Sequence, residues 1–325
     1  MAIGTATDFK IYPDQFFGGM VETLEQNVDA FNQASGGALR LITQRKKGHF
    51  EQESFIKKLS GLISRRDISS TAAVADNKLA QDEIVGVKIN RRIGPVAETM
   101  DAFRKIQVPP DQFSFLLGQQ IGPEIAADFV NTGLLALEAA LENVAGVFYD
   151  HSGVGAGTIT QSGLVNGLAK FGDASTRVKA WVMHSKPYFD LMQDLITNKL
   201  YENTGIVVFE GSVATLNRPT IVIDSPSLLK TGTPNTYRIL GLVDGAMEVA
   251  ESEERSVVSD TITGQENLVV RIQGEHAYNL KLKGFKWDTA GGGVNPTDAA
   301  LSTGANWINV MADVKSLGGI VIKCK

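Results

Sequence analysis

One long apolar stripe, from residue 109 to about 144, sets the first limit on how this chain can fold. Phe113, Leu117, Ile121, Ile125 and Phe129 step by four, and Val130, Leu134, Leu137, Leu141 and Val144 continue by threes and fours. That spacing predicts a helix. Pro109, Pro110 and Asp111 suit its start. Gly118 and Gly122, with Pro123, are expected to kink or break it. At 1.5 Å per residue such a helix is roughly 50 Å long, longer than a compact globule needs and more natural as a strut.

The segment before it raises the opposite problem. Residues 38–95 hold a charged turn, Arg45-Lys46-Lys47-Gly48-His49, and a bland stretch, Ser69-Ser70-Thr71-Ala72-Ala73. Phe55, Leu59 and Leu62 could share a short helix, and residues 84–89 alternate like a strand. So little apolar surface is not enough to fold this segment alone, and excursions of this length are functional or disordered. Charge is uneven too. Residues 39–92 carry twelve Lys or Arg against six Asp or Glu, so with a net charge of −5 the remainder carries −11. Such asymmetry either reflects a solvated basic face or drives head-to-tail contact between copies.

Around these two features the chain reads as α+β. Residues 1–18 read as an extended arm, and residues 19–33 as a helix presenting Met20, Leu24, Val28 and Phe31. After residue 150, short helices are expected at 164–171, 187–200 and from Pro296. Strands are expected at 180–183, 206–209, 220–223, 237–243, 247–250, 267–273, 278–287 and 319–324. Hydrophobic residues make up 43% of the 325 residues, enough for a real core. A pI near 5.5 argues against a dedicated nucleic-acid binder. The single cysteine, Cys324, excludes an intrachain disulfide or a cysteine-based metal site, and no signal peptide or bilayer-spanning run is legible.

No constellation carries catalysis, a cofactor or a metal. The loop Ser152-Gly153-Val154-Gly155-Ala156-Gly157-Thr158 has the wrong glycine spacing for a dinucleotide fingerprint, follows a long helix instead of a strand, and lacks the lysine of a P-loop. It reads as a hinge. His184-Ser185 sits between a strand and a helix, but Asp190 and Asp194 lie on a helix heading away, so no triad is expected. Asp150-His151 lacks a second ligand pair. Glu251, Glu253, Glu254 and Arg255 read as a charged surface loop.

The order of short motifs is more telling than any one of them. Met183-His184-Ser185 before a Pro-Tyr helix, Ile223-Asp224, Gly284-Phe285-Lys286-Trp287, Asn295-Pro296-Thr297-Asp298 and Asn306-Trp307 together resemble the major capsid proteins of tailed double-stranded DNA bacteriophages, over nearly the whole chain. That resemblance implies an α+β Hong Kong 97-like fold. Residues 1–44 would be an N-terminal arm and helix, 45–95 an extended (E) loop, 96–149 a peripheral (P) domain with the spine helix, and 150–250 an axial (A) domain. Residues 251–290 would return to the P-domain as strands, and 291–325 to the A-domain.

It also implies self-assembly into pentamers and hexamers of an icosahedral head enclosing DNA. Arg45, Lys46, Lys47, Lys57, Lys58, Arg65 and Arg66 would make contacts between subunits, and Gly118, Gly122, Gly133, Gly153, Gly155 and Gly157 would be hinges. Portal protein, a separate scaffolding protein, decoration or minor capsid proteins and non-specifically held double-stranded DNA are the expected partners. No membrane, cofactor, metal or catalytic residue is expected. The virion is the expected location, after assembly in the bacterial cytoplasm. A nanocompartment shell resembling encapsulin, enclosing protein cargo, and a small-molecule enzyme using the loop at 153–157 are the alternatives.

Overall fold

A computed structural model describes residues 32–33, 35–42, 48–57, 62–99, 101, 105, 110–200, 215–216, 218–264 and 266–325. The arm expected at 1–18, nearly all of the helix at 19–33 and the strand at 206–209 lie outside them.

The chain opens with β1 (Leu39–Ile42), β2 (Phe50–Ile56) and the long β3 (Gln81–Thr99), then α1 (Pro110–Glu142). Next come β4 (Phe148–Asp150), α2 (Gln161–Leu168), β5 (Val178–Met183), α3 (Ser185–Leu200), β6 (Thr220–Val222), β7 (Leu229–Lys230) and β8 (Thr236–Val243). The last third holds β9 (Met247–Ile262), β10 (Val269–Leu282), β11 (Phe285–Trp287), α4 (Asp298–Leu301), β12 (Trp307–Asn309) and β13 (Gly319–Cys324).

Two sheets share α1. The first has the order β1-β9-β10-β3-β2, antiparallel except for the parallel β1–β9 pair. Its central strand, β10, buries Ala277, Tyr278, Leu280 and Leu282. The second has the order β4-β13-β8-β5-β6, with β7 on β8. Its C-terminal strand β13 lies inside, antiparallel to β8 and parallel to β4. Ile320, Val321 and Ile322 are therefore buried on both faces, as an interior strand requires. A two-stranded ribbon, β11–β12, sets Trp287 edge-on to Trp307 at 4.8 Å, and each indole N–H donates to a backbone carbonyl.

The helix α1 seats Leu134, Leu137 and Leu141 fully in the core, with Ala136 and Ala140 between them. Small residues bring its backbone close to the first sheet: a Cβ on Gly133 would lie 2.0 Å from the Met247 sulfur. The helix does not break at Pro123. The residue before a proline is normally driven out of helix by its own Cβ against the ring. Gly122 has none, so the turn continues and only one N–H is lost.

Other differences have similarly local causes. Phe55 lies on β2 rather than on a short helix, opposite Asp82 of β3. Glu251, Glu253, Glu254 and Arg255 belong to β9, which runs sixteen residues with register shifts against β10 near Ala277. Their run of charges hid the strand from a reading based on apolar alternation. The two strands expected at 267–273 and 278–287 are one strand, β10, and a short one, β11, divided by a turn at Gly284.

Candidate assembly surfaces

The polar excursion is anchored at its base and bare beyond it. β2 and β3 pair from Phe50↔Val87 to Ile56↔Gln81, and Lys57 N–H closes the pair on the Ala80 carbonyl at 2.8 Å. Lys57 also pairs with Asp82 at 2.7 Å, and Lys286 approaches the same carboxylate at 3.6 Å. The hydrogen bond from Lys57 holds the Asp82 carboxyl below the usual carboxylate range. Lys281 of β10 reaches across β3 to Glu53 and Glu51 of β2. Gly86 makes room for this, since a Cβ there would lie 3.2 Å from the Lys281 Cβ.

Every residue from 62 to 80 is exposed. They include Leu62, Ile63, Ile68, Val74 and Leu79, with Ile63 96% and Val74 90% exposed. Five large aliphatic residues exposed on one loop are the kind of surface that marks an interaction site. Leu62, expected on a short helix, lies on this loop instead, and Ile63, Ile68, Val74 and Leu79 follow no helical or strand spacing that would have marked them. Of the seven basic residues singled out, Arg65 and Arg66 are exposed on this loop and Lys57 is engaged with Asp82. Arg45, Lys46, Lys47 and Lys58 lie outside the described residues.

The glycine-rich loop is preceded by a strand after all. β4, only three residues long, was not legible, so the loop runs strand–loop–helix into α2, whose cap is the Thr160 hydroxyl accepting from Gly163 N–H at 3.3 Å. The glycine spacing still matches no phosphate-binding fingerprint. Gly153 and Gly155 face open space. Gly155 (φ 56°) and Gly157 (φ 81°) occupy the left-handed region, and the Gly157 carbonyl accepts from Lys325 N–H at 2.8 Å. At the loop's root, burial alone would raise the Asp150 carboxyl, but hydrogen bonds from Lys323 and Ser152 hold it down at about 2. Gly118, Gly122 and Gly133 all lie within the unbroken α1.

His184 and Ser185 meet a third residue that spacing did not reveal. Asp224, just past β6, sits 3.3 Å from His184 Nδ1 and accepts the Ser185 N–H at 3.0 Å. The Ser185 hydroxyl faces that same Nδ1, also at 3.3 Å. A relay needs the two ring nitrogens to face different partners, so this arrangement caps α3 and is not a triad. Asp190 pairs with Lys186 within α3. Among the described residues no group of three or more His, Cys, Asp or Glu could hold a metal ion. Cys324 is buried, and burial pushes its thiol up to about 12. No helix of the described residues is long and apolar enough to cross a membrane.

Two polar clusters tie α1 to the sheets. Arg91 of β3 contacts Asp128 (3.1 Å) and Thr132 (2.8 Å) of α1, Tyr278 (3.4 Å) of β10 and Asp298 (2.8 Å) of α4. On the other side, Arg238 of β8 forks onto Glu142 at 2.8 and 3.2 Å and lies 3.4 Å from Glu138, while Lys230 of β7 reaches Glu138 at 2.9 Å.

A continuous helix shared by two sheets, with an exposed loop extending from the first of them, is the α+β arrangement of the Hong Kong 97-like fold of phage capsids. The capsid of Ralstonia phage GP4 superimposes with a TM-score of 0.53 at 10% identity, covering 89% of this chain and 87% of that one. The capsid of cyanophage Pam1 gives 0.53 at 12% identity, covering 87% and 88%. The acid-stable capsid of Helicobacter pylori bacteriophage KHP30 gives 0.52 at 10%, covering 89% and 88%. No curated protein matches the chain in sequence. The chain belongs to the Gp13-like family, major capsid protein 13-like, whose model matches residues 8–321. It is therefore a major capsid protein, a structural component of the virion.

Proposed function

We propose that this chain assembles into hexamers and pentamers that tile an icosahedral head around double-stranded DNA. The observation that carries the reading is the loop at 62–80, whose five large aliphatic residues are 60–96% exposed. A neighbouring copy supplies the missing surface, and many such modest contacts add up in a closed lattice. Arg65 and Arg66, with the basic residues on either side of the loop, then meet the acidic remainder of the next subunit.

In this reading α1 is the spine helix of the P-domain, which it forms with the five-stranded sheet; the six-stranded sheet, β13 included, is the A-domain core; and residues 62–80 are the tip of the E-loop. The chain does no catalysis, and its partners are further copies of itself, portal and separate scaffolding proteins, decoration or minor capsid proteins, and DNA held without sequence readout. Electron microscopy of the purified protein tests the proposal. Closed particles hundreds of ångströms across are the expected result, with DNA as their content in the infected cell. A monomer or small oligomer would overturn it, and protein cargo would point to a nanocompartment.

The glycines of α1 and of residues 153–157 serve as hinges in the same reading. Proline cannot adopt the positive φ of Gly155 or Gly157. Replacing both with proline is expected to leave the A-domain core folded, by circular dichroism, and to abolish closed particles. Normal particles from that variant would exclude the hinge role of these two residues.

A further inference from the structure

We propose that four cations gathered where the six-stranded sheet joins the first sheet, Arg177, Lys179, Arg218 and Lys283, form a contact for the phosphate backbone of double-stranded DNA. The turn between β8 and β9 brings them together. Val243 ends β8 opposite Val178, the first residue of β5, and Arg177 and Lys179 flank Val178 with both side chains exposed. Arg218, shortly before β6, lies against the same strand end, donating to the Val178 carbonyl at 2.9 Å and the Ser175 carbonyl at 3.2 Å. Lys283, just after β10, donates to the Asp244 carbonyl at 2.6 Å.

What sets these four apart is how they are held. Arg177, like Arg218 and Lys283, is bonded to a backbone carbonyl, that of Lys315 at 2.7 Å. A carbonyl positions a cation without neutralising it, and a guanidinium so held keeps most of its five donors for other partners. Lys179 makes no side-chain bond among the described residues. The carboxylates nearby are already engaged. Asp244 pairs with Arg40 at 3.0 Å, Asp173 pairs with Lys315, and Asp313 accepts the Lys315 N–H at 3.0 Å. With Arg40 and Lys315 counted, six cations stand against these three carboxylates, in a chain whose net charge is −5. Their crowding is felt at Lys283, whose ammonium is held below the ordinary lysine range by burial and by Arg177 and Arg40, against the pull of Asp244.

Like charges gathered without compensation attract an anion from outside the chain. A second copy could offer one as an acidic face, but the surface favours DNA. Among the described residues, none of the large apolar side chains that are exposed lies in this patch. An interface between proteins has an apolar core depleted in lysine, whereas phosphate contacts need only cations and backbone donors. Contacts of this kind position DNA without reading its sequence. The proposal rests on the shell reading, which supplies the DNA, and it turns this end of the six-stranded sheet toward the interior of the head.

The test titrates random-sequence double-stranded DNA into the unassembled full-length chain over a range of salt concentrations. Each phosphate contact contributes about −0.9 to the slope of log K against log salt. Arg177→Gln with Lys179→Gln is expected to flatten that slope by about 1.8, and Lys179→Gln alone, which breaks no described bond of the fold, by about 0.9. Arg92→Gln with Arg271→Gln removes the same charge from the first sheet, where Glu275 and Asp260 stand opposite, and is expected to leave the slope as it was. An unchanged slope in the first pair of substitutions would overturn the proposal, and equal flattening by both pairs would do the same, reducing the patch to an effect of net charge. Loss of particles from the first pair with unchanged DNA binding would assign the patch to a second copy and equally overturn it. Binding is read on unassembled subunits, so a wild-type chain that forms no particles would strike the shell reading and leave the slopes to decide the patch.

Discussion

Replacing residues 62–79 with a short Gly-Ser turn is expected to leave both sheets folded and to abolish particles. The cut falls beyond the closing bond from Lys57 N–H to the Ala80 carbonyl, so β2 and β3 keep their full register. It removes Leu62, Ile63, Ile68, Val74 and Leu79, none of which touches the core. Burying a large aliphatic side chain contributes about 1.5–3 kcal/mol, so the five together contribute roughly 8–15 kcal/mol per subunit on assembly. That is comparable to the translational and rotational freedom that association costs, and a lattice lacking it should not close. Thermal unfolding of the subunit should be unchanged, while sedimentation should show the loss of large particles. Normal shells from the shortened chain would show that the loop is dispensable and that the surface holding subunits together lies elsewhere.

Arg238→Met is expected to destabilise the subunit by about 3–5 kcal/mol, because removing one member of a buried charge cluster leaves the others uncompensated. Arg238 is nearly buried and is the only described group that forks onto Glu142 while also lying against Glu138. Methionine fills a similar volume, so the loss is electrostatic rather than steric. Denaturant unfolding measures it. Adding Glu142→Gln should recover part of the loss, since the stranded negative charge is then removed, and the double-variant cycle isolates that coupling. A cost below about 1 kcal/mol for the single change would mean that water, not Arg238, neutralises the pair.

Much of the site's framework was legible because it repeats. The apolar stripe of α1 and the alternation along β10 are written in adjacent residues. The pieces that escaped depend on partners far along the chain. β4 is three residues that extend only because β13, from the other end, pairs with them. β9 carries its charges through a strand because β10 supplies the ladder. Asp224 reaches Ser185 from 39 residues away. Glu138 reads in sequence as an ordinary surface position of an amphipathic helix, and only the approach of β7 and β8 buries it.

The sequence by itself determined the class: an α+β chain with a strut too long for a globule, a loop unable to fold alone, and an order of motifs shared with phage capsid proteins. Periodicity and motif order are local or linear properties, and a linear reading recovers them. Tertiary structure alone decided which side chains are left without burial and which charges are driven together. Exposure of Ile63 and burial of Glu138 both depend on what the rest of the chain places around them, and that is set by long-range pairing between β4 and β13, β1 and β9, and α1 and the strands beside it.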